Sequence, residues 1–234
     1  MKRLFATLWC DMRLQWRNGF YLVTGIVLAF WVIFRSQLPP TDLARLLPAF
    51  IISNLVLNTF YFVAGLLLLE KAESTLEAQV LTPLRPAEYL ASKVLSLSIL
   101  ALVENLLVVL LFQGFAFRLL PLLTGLLLAA AMYTLTGFMV IARYDSINEF
   151  LFPSVPMIIL LCLPLLPYFG VGQTALVYAH PLQPALLLMQ AGFVHLPFWQ
   201  AAYALLYGGL CLGLLAWASQ RRFQRFIIRK EGVR

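Results

Sequence analysis

Six apolar runs alternate with short polar breaks along this chain, at 20–38, 46–69, 94–117, 119–142, 150–171 and 196–218. An α-helix rises 1.5 Å per residue, so about 20 apolar residues cross a hydrocarbon core of about 30 Å, and each run is long enough. The pattern predicts an all-α polytopic membrane protein with six transmembrane helices in a single transmembrane domain over 1–234. Pro48 suits the first turn of the second span. The third and fourth spans meet at a turn containing Arg118 and Pro121. The fifth carries Pro153, Pro156, Pro164 and Pro167, which predicts a kinked or broken helix.

Ahead of the first span, "KRLFATLWCDMRLQWR" places Phe5, Leu8, Trp9, Met12 and Trp16 at helical spacing. Lys2, Arg3, Asp11 and Arg13 fall largely off that stripe. The segment 1–18 reads as an interfacial helix with its aromatic face in the bilayer and its basic residues toward anionic lipid. No small-residue cleavage motif follows the first run, so that run reads as a retained span. The connector before the sixth span, "GQTALVYAHPLQPALLLMQAGFVHLP", is too apolar for a solvated loop and predicts short re-entrant or interfacial helices.

Composition agrees: 62% of the 234 residues are hydrophobic and 12% are charged, against about 25% charged in a typical soluble domain. The net charge of +7 does not mark a nucleic-acid binder, because the basic residues sit at the ends of apolar runs. With both termini inside, 14 of the 17 Lys and Arg residues are cytoplasmic, leaving Arg35, Arg45 and Arg118 outside. The positive-inside rule therefore predicts a multi-pass protein of the cell inner membrane with a basic cytoplasmic tail over 219–234. Cys10, Cys162 and Cys211 read as small buried hydrophobes, and His180 and His195 lack the neighbours a metal site needs.

The break between spans two and three, 70–93, is charged and helix-like. Ser74-Thr75-Leu76-Glu77 fits an S-x-x-E capping box, Pro83 ends the helix it would start, and Pro86 suits the first turn of the next. Such an elbow would offer Leu76 and Val80 as an apolar tip rimmed by Glu73, Glu77 and Arg85, which is the chemistry of a docking knob.

These residues carry a resemblance. Glu73, Thr75, Leu76, Glu77, Thr82, Pro83, Leu84, Arg85, Glu88, Ser92 and Lys93 resemble the coupling region of ABC-2 type permeases, the membrane subunits of ATP-driven exporters with a type V fold. The N-terminal "LWCDMRLQWRNGFY" is similar to the interfacial helix of the same family. Closest in feel is the fluoroquinolone-export subfamily, and more distantly the haem exporter B subunit. The resemblance implies a coupling helix at Glu73, Thr75, Leu76, Glu77, Thr82, Pro83, Leu84 and Arg85. It also implies a separate ABC ATPase subunit that binds ATP and Mg, and a second permease copy or paralogue. The cargo it implies is hydrophobic or amphipathic, with a drug as one candidate.

No G-x-x-x-x-G-K-[ST] loop occurs, so this chain is not itself the ATPase and binds no cofactor of its own by that route. Gly170-x-Gly172-x-x-Ala175 follows a proline-rich span rather than a strand and is read as chance. Within the spans, Glu104 with Asn105, and the stripe Asn54, Asn58 and Tyr61, are candidates for the substrate pathway; structural pairing inside the bundle is the competing reading. Gly209-x-x-x-Gly213 and Gly125-x-x-x-Ala129 would permit close helix contact. Asp145 and Glu149 read as a solvated face. A secondary transporter or channel remains the alternative function, although a lone central acid and proline breaks confined to one span fit it poorly.

Overall fold

All regular structure among the described residues is helical. The computed structural model describes residues 2–37, 45–76, 85–172 and 175–228. After the amphipathic α1 (Lys2–Arg17) come α2 (Phe20–Gln37), α3 (Leu47–Ala72), α4 (Pro86–Gln113) and α5 (Leu119–Ile141). The proline-rich region forms α6 (Ile147–Cys162) and the one-turn α7 (Leu165–Tyr168). A 3-10 turn (Ala175–Ala179) leads to α8 (Gln183–Ala191) and then α9 (Phe198–Arg222), which runs on as a π turn over Phe223–Ile228. Among the described residues five helices are long and apolar enough to cross a membrane: α2, α3, α4, α5 and α9 with its extension.

The fifth apolar run departs most from the sequence reading. One helix over Phe150–Val171 does not form; α6 has 16 residues and stops at Cys162. Pro164 has no N–H to give the Leu160 carbonyl, and its ring blocks the turn. That carbonyl instead receives the Leu163 N–H at 3.2 Å and the Nε2–H of His180 at 3.0 Å.

Helix α4 begins eight residues before the expected start of the third span. Pro86 opens it, and the Glu88 carboxylate accepts the Arg85 backbone N–H at 3.0 Å. It ends at Gly114, whose φ of 63° few other residues adopt readily. Lys93 therefore stands in the second turn of a helix rather than at the end of a linker.

Close packing gathers around α5. A Cβ on Gly125 would lie 2.6 Å from the Met189 backbone nitrogen and 2.9 Å from the Ala185 carbonyl, both on α8. A Cβ on Gly137 would lie 2.6 Å from the Phe60 carbonyl in the π turn Val56–Tyr61 of α3. Only glycine lets these backbones meet. The connector helix α8 is thus packed against α5 and α9, with seven residues from Gln183 to Met189 buried, rather than lying at an interface. Gly209 and Gly213 face open space within the chain. Helices α2 and α9 are the least buried of the five and lie at the periphery.

The tail folds back under the bundle. Phe223 is buried with its ring 4.8 Å from that of Tyr89 on α4, and Arg222 donates to the Met139 carbonyl at 3.0 Å. Within the segment read as a basic tail over 219–234, the chain is helical to Ile228, the last described residue.

Candidate functional site at the elbow and the bundle core

The elbow begins where α3 stops. Ser74 has φ 54° and its N–H goes to the Lys71 carbonyl at 3.2 Å. A left-handed residue here closes the C-terminus of α3, and helix resumes at Thr75; the partner of the expected capping box, Glu77, lies outside the described residues. Thr75 Oγ1 reaches back to the Glu70 carbonyl at 3.2 Å. Leu76 is 1% exposed and joins the main core, so it is an anchor and not the expected apolar tip. Glu73 and Arg85 are exposed. Glu77, Val80, Thr82, Pro83 and Leu84 lie outside the described residues.

Ionic contacts centred on Arg17, Lys71 and Lys93 tie this elbow to its neighbours. Arg17 at the end of α1 pairs with Glu73. Lys71 donates to the Tyr144 carbonyl at 2.7 Å and pairs with Asp145 at 3.0 Å in the turn between α5 and α6. Asp145 and Glu149 are both exposed, as a solvated face requires, and Asp145 is in addition a partner of the elbow. The third contact is buried: Lys93 on α4 pairs with both Asp11 of α1 and Glu70 of α3. Ser92 donates to Asp11, and the Tyr89 hydroxyl donates to Glu70 at 2.5 Å.

This network went unread in the sequence. Off the aromatic stripe, Asp11 reads as part of the polar face of α1, yet it is 1% exposed and directed into the bundle. One signal was available: Asp11 is the sole acid of α1, and Lys93 lies in an apolar context where a lysine needs a counter-charge. Burial raises the Asp11 carboxyl above its ordinary range and Glu70 adds to the rise, while Lys93 and the Ser92 hydrogen bond pull it back.

A second polar cluster fills the middle of the bundle. The Asn54 amide donates to Glu104 at 3.0 Å and to Asn105 at 3.3 Å, and Asn58 donates to the other Glu104 oxygen. Trp31 of α2 donates to Asn54 at 3.2 Å. Glu104, Asn105 and Asn58 have no exposed surface. The π turn separates what an ideal helix would align: Tyr61 leaves the stripe and meets Ser154 of α6 at 3.3 Å. Three of the four pathway candidates thus come together and the fourth does not.

At the end opposite the elbow lie two cavities. One of about 530 Å³ is bounded by Arg45, Pro48, Tyr168, Phe193 and Gln190. Another of about 400 Å³, between α7 and α8, shares Tyr168 and Gln190 with it. His180 closes this end, accepting the Leu182 N–H on Nδ1 at 3.2 Å while Nε2–H donates to Leu160. Burial lowers the His180 pKa from its ordinary value, with the Leu160 hydrogen bond opposing. Among the described residues no group of three or more His, Cys, Asp or Glu side chains could hold a metal ion.

Long apolar helices around buried polar clusters, with a charged elbow at one end and cavities at the other, define a multi-pass membrane protein of the transport class. The chain belongs to the fluoroquinolones export permease protein family, which matches it over residues 2–231. Two similar proteins of Mycobacterium tuberculosis, from strains CDC 1551 / Oshkosh and ATCC 25618 / H37Rv, are each described as a fluoroquinolones export permease protein. Each is 31% identical to the chain over 236 residues, covering the whole of both sequences.

Proposed function

We propose that this chain is the membrane-spanning permease subunit of an ATP-binding cassette exporter, assembled with a second permease copy or paralogue and two separate ABC ATPase subunits. The observation that carries the reading is the elbow held from two sides. Its charged root is clasped to α1 through Arg17–Glu73 and to the α5–α6 turn through Lys71. An element so connected transmits a push, and ATPase closure against it would tilt α3 and α4 together to alternate access.

In this arrangement Glu73, Thr75, Glu77, Thr82, Pro83, Leu84 and Arg85 meet the ATPase, and Leu76 roots the elbow in the core. ATP and Mg reside on the partner, and this chain binds no cofactor and catalyses no hydrolysis. The elbow and both termini face the cytoplasm of an inner membrane, in line with the Lys/Arg distribution. The broken α6–α7 unit makes the sixth crossing. Asn54, Asn58 and Glu104 form the closed gate of the pathway in this conformation, with Tyr61 at its edge. The export permeases named among the relatives support an amphipathic drug as cargo, and the paired cavities beyond the gate, one largely apolar and one of mixed lining, suit its release.

The test is reconstitution of the chain, with a co-purifying ATPase, into proteoliposomes. Drug accumulation that requires hydrolysable ATP is expected. Transport sustained by a proton gradient with no ATPase present would assign a secondary transporter instead.

A further inference from the structure

Helix α1 turns into α2 through Gly19, at φ 76°, and the corner encloses a cavity of about 370 Å³ bounded by Trp9, Met12, Arg13, Trp16 and Tyr21. The rings of Trp16 and Tyr21 are 5.6 Å apart and tilted, so one helix supplies the floor and the other a wall. Trp9 and Trp16 are 71% and 76% exposed within the chain. Tryptophan and tyrosine with an arginine between them match the boundary of a bilayer, where acyl-glycerol meets phosphate.

Charge selects the occupant. Asp11, the sole acid of α1, is withdrawn into the bundle by Lys93 and Ser92. Glu73 is held by Arg17. The rim of the cavity is left with Arg13, exposed and with no hydrogen bond or ion pair among the described residues. A guanidinium beside an apolar aromatic cleft takes a phosphodiester bidentately, while the cleft takes the glycerol and upper acyl carbons.

We propose that the corner between α1 and α2 is a binding site for one anionic phospholipid, its phosphate on Arg13 and its acyl-glycerol portion between Trp9, Trp16 and Tyr21. A lipid bound there fastens the interfacial helix to the membrane on one side, as Lys93 fastens it to the bundle on the other. The inference rests on the membrane class and stands whether or not ATP drives transport.

The experiment places the full chain in phosphatidylcholine nanodiscs containing increasing amounts of phosphatidylglycerol with brominated acyl chains, which quench tryptophan on contact. Saturable quenching at low mole fraction is expected, reduced in Trp16→Phe and absent when Trp9→Phe is combined with it. Arg13→Gln should raise the half-saturating mole fraction about fivefold, the scale of one basic residue at an anionic surface. Intact monodisperse protein in every variant, and unchanged quenching of Trp31, Trp199 and Trp217 in the variant lacking Trp9 and Trp16, excludes misfolding. Brominated phosphatidylcholine should give only a linear response. Quenching that is linear for both lipids, or unchanged in Arg13→Gln, overturns the site in favour of general bilayer contact. Loss of the saturable signal only when the ATPase is added overturns it in favour of a protein partner.

Discussion

Lys93 of α4 and Asp11 of α1 form an ion pair in which each side chain is 2% exposed. Glu70 of α3 joins from the other side. One cation therefore joins three helices at the base of the bundle, and the elbow departs from the same place.

Lys93→Met should cost about 3–5 kcal/mol, because two carboxyl groups are left buried without their cation. Asp11→Asn should cost less, since Lys93 keeps Glu70. Denaturant or thermal unfolding of the detergent-solubilised protein measures both. Equal small losses would show that the network contributes little to stability.

The two small-residue motifs should behave oppositely. Gly125→Val drives its Cβ into the α8 backbone and should destabilise by at least about 1–3 kcal/mol. Gly209→Val meets nothing within 4 Å and should be nearly neutral in the isolated chain. The same unfolding assay checks both, and a dimer assay would reveal any role of Gly209 between subunits.

Stability should fall as the solution is acidified through the ordinary histidine range. His180 is neutral in the fold, with Nδ1 accepting and Nε2–H donating, and its pKa is lowered from 6.5. Below about pH 6.5 the unfolded chain takes up this proton before the folded one, so the loss grows with falling pH and is complete below the lowered value. His180→Gln should flatten the difference between pH 8 and pH 5, to about the size of one such titration. An unchanged slope would remove His180 from the effect.

Glu104→Leu should destabilise by about 1–3 kcal/mol or more, stranding the buried amide donors of Asn54 and Asn58. Glu104→Gln keeps an acceptor and should fold with a smaller loss. If the cluster is the gate, Glu104→Gln changes drug transport severalfold; unchanged transport with altered unfolding would make it packing alone.

Glu73→Lys should scarcely change stability, because an exposed pair of this kind is worth about 0–1 kcal/mol. It should nonetheless reduce transport-coupled ATPase activity. Restoration in Arg17→Glu combined with Glu73→Arg would identify the contact itself as the transmitter.

The spans were legible because lipid requires long apolar helices whatever their partners, and α2 and α5 end within a residue or so of the pattern. Pro86 at the head of α4 was equally plain, since its ring demands that position. The elbow's inward anchor was not. Leu76 has the same sequence signature whether it faces a partner or the core, and nothing local to Ser74 announces the left-handed backbone with which it ends α3.

What the sequence determined by itself was the medium and the inventory: helices of membrane length, a basic amphipathic start, a charged interruption, and a proline-broken fifth run. These follow from local hydropathy and backbone covalent limits, which act over a few residues. Tertiary structure alone decided who meets whom. Asp11 finds Lys93 across 82 positions, Asn58 turns to Glu104 while Tyr61 turns away, and His180 fills the hydrogen bond that Pro164 cannot make. Such partners are set by helix register and by glycine-permitted approach, and neither leaves a mark on the composition of either segment.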